Sequence, residues 1–419
     1  MISQQSSFDV LVIGGGAAGI MAALSARKHH PDYSVAIVDR TFELGRKFLT
    51  SGAGRGNLTN VNLLHGPKGF FHGDQAFIES IFSQYGYADI LKFFEDLGVP
   101  VYEETKTGRG KIFPVVDNAK TIRDMLVDAL MEAGVTVFCN TPVTGIAKGD
   151  VWTIATNAGS YQARFIILAA GGKTYPALGA DGSGYTLAAS LGHTIIPPVV
   201  SAVPVVSKNP LSHYVQGEKL VMQTTSVIEG KEQSTVTGDV MFTQYGLSGP
   251  AIFDISRDIS IRINREGKQN AAVRLSFFPD TIPEEVEKIL DRRYHRHATL
   301  PVSHALYGLF TGKAAGAVCA ASEIPKDRIV KDLTQEEKER LVKTLTEYTA
   351  EVTDTRGWNE GEFTAGGVDT DEVDPKTLES KKAKGLYFAG EILNVDGQVG
   401  GFNLSWAWST GFVAGKIRL

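Results

Sequence analysis

The sequence predicts an α/β fold: a parallel sheet flanked by helices, made discontinuous by an inserted β-barrel and helical subdomain, and completed by the C-terminal segment. Three observations predict it. Phe8 to Ile13 is a short run rich in Val and Ile that breaks into three glycines and an Ala-rich stretch through Ala26, the pattern of strand, tight turn and helix. After Gly192 the texture changes to short β-like runs separated by turn residues, and from Gly385 a buried-strand texture returns before a second glycine-rich turn.

Ser34 to Val38 reads as the second strand, so the first forty residues form a β-α-β unit whose crossover is expected to be right-handed. Helical periodicity recurs at 75–97 and 119–133, and strand patterns at 135–139, 151–156 and 165–169, an alternation that implies a parallel sheet. Beyond Gly192, strands are expected at 199–207, 219–228, 234–242, 259–264 and 271–277, forming an antiparallel sheet or small barrel. Thr281 and Thr334 each stand three residues before a glutamate, Glu284 and Glu337, the spacing of capping boxes that open helices running to about His297 and Ala350. The expected boundaries are residues 1–195 and 354–419 for the nucleotide-binding domain and 196–353 for the insert, barrel-like over 196–279 and helical over 280–353.

Bulk properties narrow the function classes. A chain of 419 residues with 43% hydrophobic and 21% charged residues can bury more than one core, and a net charge of −5 signals no general attraction to nucleic acid. Cys139 and Cys319 are far apart, which argues against a disulfide framework, a zinc site or a dithiol relay. No run reaches the ~18 apolar residues of a membrane span, and the N-terminus lacks a basic start, so a cytoplasmic location is expected, without DNA or membrane partners.

The strongest local signal is Gly14-Gly-Gly16-Ala17-Ala18-Gly19, with Asp39 twenty residues beyond its last glycine. Gly14 permits the tight turn, Gly16 lets a pyrophosphate approach the backbone at the helix N-terminus, and Gly19 lets helix and strand pack closely. Asp39 can accept ribose hydroxyls, and Arg40 beside it leaves a 2′-phosphate open. This is a Rossmann-type dinucleotide fingerprint. FAD, held non-covalently, is favoured over NAD by what lies elsewhere. Glycine-dense polar backbone, Gly45-Arg46-Lys47 and Ser51 to Asn57, follows Asp39 directly, where an extended cofactor would continue. Gly390-Glu391 ends the returning strand and can hold ribityl hydroxyls, and Gly401-Phe402-Asn403 opens a helix whose N-terminus can stabilise a reduced flavin.

Several blocks together carry a resemblance: IGGGAAG, GRKFLTSGAGRGNLTN, GRGKIFPVVDNA, LAAGGKTYPALGADGSGY, GDVMFTQYGLSGP, FTAGGVDTDEV and the segment ESKKAKGLYFAGEILNVDGQVGGFNLSWAWSTG. With these the chain resembles the YhiN/BaiN-like FAD-dependent oxidoreductases, which are similar to the glutathione-reductase-fold flavoproteins. The resemblance implies that Gly14, Gly16 and Gly19 meet the pyrophosphate, Asp39 the ribose, and Arg46, Lys47, Gly52 and Asn57 the middle and flavin end of the cofactor. It places Ala170 and Gly171 on the adenosine side, Glu391 at the ribityl chain, and Gly401 to Asn403 at the pyrimidine ring. Where the family often has Cys between Arg and Asn in the second block, this chain has Gly56, so no thiol is expected there.

Two other matches lead elsewhere. Gly171-Gly-Lys-Thr174 ends like a phosphate loop, but the first glycine of that motif would fall on Ile167. The basic run Asp291 to His297 reads as a solvated helix face. The expected activity is an oxidoreductase in which NAD(P)H, a transient co-substrate without its own fold, reduces FAD, and a conjugated C=C of a small molecule is reduced in turn. Uracil in RNA is an alternative acceptor, and an amine-type oxidase or a non-catalytic flavin-binding module are alternative roles. Lys47, Lys173, Tyr175 and Tyr245 are the candidate proton donors, and Lys47 is also a candidate charge partner for reduced flavin.

Overall fold

The computed structural model describes residues 6–106, 108–325 and 327–418. The chain divides into two compact units, residues 1–198 with 362–419 and residues 199–361, where the sequence reading sets the insert at 196–353.

The first unit is built on one mixed sheet. Strands β1 (Ser7–Ile13), β2 (Val35–Val38) and β3 (Thr136–Phe138) run parallel, and β1 also pairs in parallel with the long strand β6 (Gly159–Leu168). Strands β4 (Val143–Lys148) and β5 (Trp152–Thr156) form an antiparallel meander leading into β6, and β7 (Leu386–Phe388) returns from the C-terminal region to pair in parallel with β6. Helices α1 (Ala17–His29), α2 (Ala119–Glu132) and α3 (Phe402–Gly415) belong to this unit. Every residue of β2 and β7 is buried, as expected of strands with both faces covered, and α3 is buried along almost its whole length.

The register positions the site. Ile13 lies opposite both Val38 and Leu168, and Leu168 lies opposite Phe388. The last residues of β1, β2, β6 and β7 therefore form one row. Gly14, Asp39, Ala169 and Ala389 each stand one step beyond it, at the carboxyl edge where open α/β sheets bind ligands.

In the second unit, strands Lys219–Ile228, Lys231–Thr243 and Ala271–Ser276 pair antiparallel. Residues 348–355 pair with Ala271–Ser276 on one side and, through Asp354 and Thr355, with Val205–Val206 on the other, so the ring of strands closes on itself. Because the first strand of that closing segment, Tyr348–Val352, lies inside residues 280–353, the stretch expected to be helical is not wholly so. A helical cluster, Pro283–Arg296, Gly312–Ala321 and Gln335–Glu347, packs around Val286, Leu290, Val318, Leu341 and Leu345.

The structure corrects several expected elements. Residues 259–264 are not a strand: they continue the helix Pro250–Ser260 into a wider turn, Ile261–Arg265. Ile259, Ile261 and Ile263 alternate as a strand would, but Ile252, Ile255 and Ile259 are the buried stripe of a helix. The Thr334 box forms, with Thr334 Oγ1 accepting from Glu337 N and Glu337 Oε2 accepting from Thr334 N. The Thr281 box does not, because Pro283 takes the first helical position and makes Ile282 the cap. The expected helix 75–97 is two, Gln75–Phe82 and Tyr87–Asp96, the second opened by Gly86, whose N–H donates to Asp89. The strand expected at 199–207 is interrupted between Ser201 and Val205.

Candidate functional site

Four segments of the first unit meet beyond the carboxyl edge of the sheet. At the first, Gly14 has φ +102°, and a Cβ on it would stand 2.5 Å from the Ala169 carbonyl oxygen. Only glycine satisfies both demands. A Cβ on Gly19 would come within 1.8 Å of the Gly14 carbonyl oxygen, so α1 starts hard against the turn. Gly16 caps α1, and no atom lies within 4 Å of where its Cβ would be. The helix N-terminus thus opens onto free space, as an anion seat requires. Ala18 is buried, with its Cβ 2.7 Å from the position a Cβ on Gly390 would take, while Ala17 is half-buried at the head of the helix.

Asp39 organises the second segment. Its Oδ2 accepts the Gly15 N–H at 2.6 Å, and its Oδ1 accepts the Thr41 N–H and hydroxyl at 2.7 and 2.6 Å. These donors hold the carboxylate in place and leave Oδ2 one lone pair for a further donor. Asp39 and Arg40 line a cavity of about 170 Å³ together with Gly14, Ala170, Asp181 and Ser183. Arg40 is ion-paired with Asp181, whose carboxyl is raised by burial but held below its ordinary range by Ser183 and Arg40.

The third segment, Lys47–Gly54, is an irregular turn in which Gly52 and Ala53 both have positive φ. Gly52 lies so close to Phe113 that a Cβ would stand 2.5 Å from its ring. Arg46 reaches the Ala177 carbonyl at 2.8 Å and covers the Phe42 ring. The Asn57 amide donates to the carbonyls of Thr59 and Ile112, bracing the loop from within.

The fourth segment comes from the C-terminal return. Gly390 has φ +81°; its N–H donates to Thr410 and its carbonyl accepts from the Trp406 indole, both on α3. Glu391 Oε2 pairs with Lys47 Nζ at 2.7 Å, and Oε1 accepts the Thr364 N–H at 2.9 Å. The same ammonium donates to Thr174 Oγ1 at 2.6 Å. Gly401 caps α3 with φ +102°, Phe402 stacks on Phe70 with ring centroids 4.8 Å apart, and the Asn403 amide ties both ends of the Gly397 peptide. Ala170 lines the cavity, and Gly171 beside it has φ +72°.

Of the proton-donor candidates, Lys47 is held by Glu391 and Thr174, and the Lys173 N–H donates to Thr364. Tyr175 sits in the left-handed region at φ +59°, an arrangement that costs about 1–3 kcal/mol and marks its loop for attention. Tyr245 belongs to the second unit, where the Arg356 guanidinium lies 4.7 Å over its ring. Sequence reasoning missed Thr174, Thr364, Gly172, Asp181 and Ser183. Thr174 stood inside the imperfect phosphate-loop match and, with Gly172, Asp181 and Ser183, inside the block LAAGGKTYPALGADGSGY, but its contact to Lys47 spans 127 residues.

The open space before Gly16, the Asp39 carboxylate at its cavity and the paired Lys47 and Glu391 have the polar character that the diphosphate, the adenosine ribose and the ribityl chain of FAD respectively call for. A family model described as the HI0933-like protein Rossmann domain matches residues 8–417. The chain is 35% identical over 410 residues to a 3-dehydro-bile acid delta(4,6)-reductase of Clostridium scindens, covering 97% of each. It is 30% identical to a ribosomal RNA dihydrouridine synthase of Escherichia coli, covering 98% of this chain and 97% of that one. Among solved structures, a 3-ketosteroid delta1-dehydrogenase of Sterolibacterium denitrificans superposes with a TM-score of 0.53 at 12% identity, over 98% of this chain and 99% of that one. An Escherichia coli quinol fumarate reductase superposes with a TM-score of 0.50 at 14% identity, over 99% of this chain and 70% of that one. These two likenesses concern the fold.

Proposed function

This chain belongs to the HI0933-like Rossmann family and is an FAD-dependent oxidoreductase acting as a reductase, and from that premise we propose that it saturates a carbon–carbon double bond conjugated to a carbonyl, using NAD(P)H as the electron source. The observation that carries the reading is the end-to-end likeness to a protein named as a 3-dehydro-bile acid delta(4,6)-reductase. When bound at the residues named below, FAD would supply the two-electron redox chemistry that such a reduction needs.

The chain's own residues have three tasks. Gly14, Gly16 and Gly19 seat the diphosphate at the α1 N-terminus, Asp39 takes the ribose hydroxyls, and Ala170 and Gly171 border the adenosine. Arg46, Lys47, Gly52, Asn57 and Glu391 shape the middle and flavin end, with Gly401, Phe402 and Asn403 at the pyrimidine side. The third task is delivery of one proton to the carbon α to the carbonyl. Lys173 and Tyr175, on the strained loop beside Thr174, are the groups proposed for it.

The second reading, reduction of uracil in RNA, has its own support in the likeness to dihydrouridine synthases and rests on the same chemistry, since uracil's C5=C6 bond is conjugated to its C4 carbonyl. Anaerobic mixing tests both. NADPH or NADH is expected to bleach the flavin band, and a 3-oxo-4-ene acid to restore it faster than ribosomal RNA does. Restoration by RNA alone selects the second reading. Bleaching by an amine with rapid reoxidation by oxygen would replace both with an oxidase.

A further inference from the structure

We infer that Lys47 and Glu391 form a charge pair of opposed effect that sets the reduction potential of the bound flavin, the ammonium raising it and the carboxylate restraining that rise. The inference rests on the proposed placement of FAD along these four segments.

The geometry fixes the cation. An ammonium has three N–H donors. Two are taken, by Glu391 Oε2 at 2.7 Å and Thr174 Oγ1 at 2.6 Å, and the third has no partner among the described residues. Thr174 is itself buried and its hydroxyl donates to the Glu362 carbonyl at 3.2 Å, so its lone pair is turned to Lys47. Glu391 is locked from its other side by the Thr364 N–H at 2.9 Å and lies against Gly172, where a Cβ would be 2.7 Å from Oε1. The clamp is not sealed: the Lys47 and Glu391 side chains keep 28% and 19% of their exposure. One cation and one carboxylate are thus held together in fixed positions, with one ammonium donor left open.

The consequence for redox follows from charge. A flavin that takes up two electrons and one proton gains one negative charge, which a neighbouring cation favours and a neighbouring carboxylate opposes. Preference for the reduced over the oxidised form raises the potential, and for a two-electron couple each tenfold preference corresponds to about 30 mV.

Potentiometric titration of FAD-loaded wild type and variants tests this. Lys47→Met is expected to lower the midpoint by about 30 mV or more, the conversion of a tenfold lost preference. Glu391→Gln, leaving the ammonium unopposed, is expected to raise it, and Lys47→Arg to stay near wild type. If Lys47→Met and Glu391→Gln both lower the potential, or Lys47→Met leaves it unmoved, the pair is merely structural and the inference is overturned. Should Lys47→Met fail to hold flavin, the upward shift of Glu391→Gln decides alone. Equilibrium FAD uptake separates the two levels of the argument: a wild type that takes up no FAD defeats the proposed function, whereas normal uptake with unshifted potentials defeats only this pair.

Discussion

Gly172 shows how little room the site leaves at single residues. A methyl group there would stand 2.4 Å from Thr364 Oγ1 and 2.7 Å from Glu391 Oε1, and neither acceptor can retreat without breaking its bond to a backbone N–H. Gly172→Ala is therefore expected to cost about 1–3 kcal/mol of strain and to weaken FAD binding at least roughly tenfold, checked by flavin fluorescence titration. Unchanged affinity would show that Glu391 is not held where the cofactor needs it. A second buried group works by proton balance. The His193 ring is enclosed, with Nδ1 3.1 Å from Glu372 and Nε2 2.8 Å from Ser380. Ser380 Oγ already accepts the N–H groups of Lys382 and Ala383, so its hydrogen goes to Nε2 and the imidazole is neutral with Nδ1–H on Glu372. The Ser–His–Glu order is a clasp, not a nucleophile, because Ser380 is buried and its lone pairs are filled. Burial lowers the His193 pKa from 6.5, so acidification below that value protonates the unfolded chain first and removes stability. Burial raises the Glu372 carboxyl, but Lys382 and Thr194 outweigh it and hold it at about 2 against an ordinary 4.5, so its share of stability is lost as pH falls from 4.5 towards 2. Melting temperature is thus expected to fall in two stages on acidification, and Glu372→Gln to remove the lower one. A profile flat from pH 7 to pH 3 would contradict this account.

At the scale of elements, the closing helix α3 holds the site together. A Cβ on Gly411 would be 2.4 Å from the Ala18 carbonyl oxygen, and one on Gly415 the same distance from that of Ala22, so α3 lies backbone to backbone on α1. From that seat its side chains reach outward: Trp406 and Thr410 hold Gly390, and Trp408 donates to the Leu58 carbonyl. Gly411→Val is expected to destabilise the first unit by about 1–3 kcal/mol and to cost FAD affinity in parallel, read by thermal melting with and without flavin. Loss of stability without loss of affinity would separate the helix from the site. The first turn, Asp39 and the returning strand were legible in the sequence because each is a local pattern of glycine, acid and apolar run. The partner of Glu391 was not, since Lys47 lies 344 residues away and only the fold brings the two together. Residues 259–264 misled for the opposite reason: three isoleucines at alternate positions imitate a strand, and the helical stripe that overrules them begins outside that window, at Ala251 and Ile252.

For the whole molecule, the sequence announced the architecture through its changes of texture, while the closing of the strand ring by residues 348–355 was hidden in a segment that reads as the tail of a helix. Among the described residues no helix is long and apolar enough to cross a membrane. Burial pushes the Cys319 thiol up to about 11 and raises Cys139 as well, which disfavours the reactive thiolate form of both. Four segments at the carboxyl edge of the sheet are proposed to grip one long cofactor, and Gly19 is where that grip is most exposed to a single change. Titrating the folded apoprotein with FAD measures it directly. Saturable uptake of one FAD per chain is predicted, abolished by Gly19→Ala, whose Cβ would meet the Gly14 carbonyl oxygen at 1.8 Å. Uptake that the alanine variant retains in full, or none at all by the folded wild type, would contradict it.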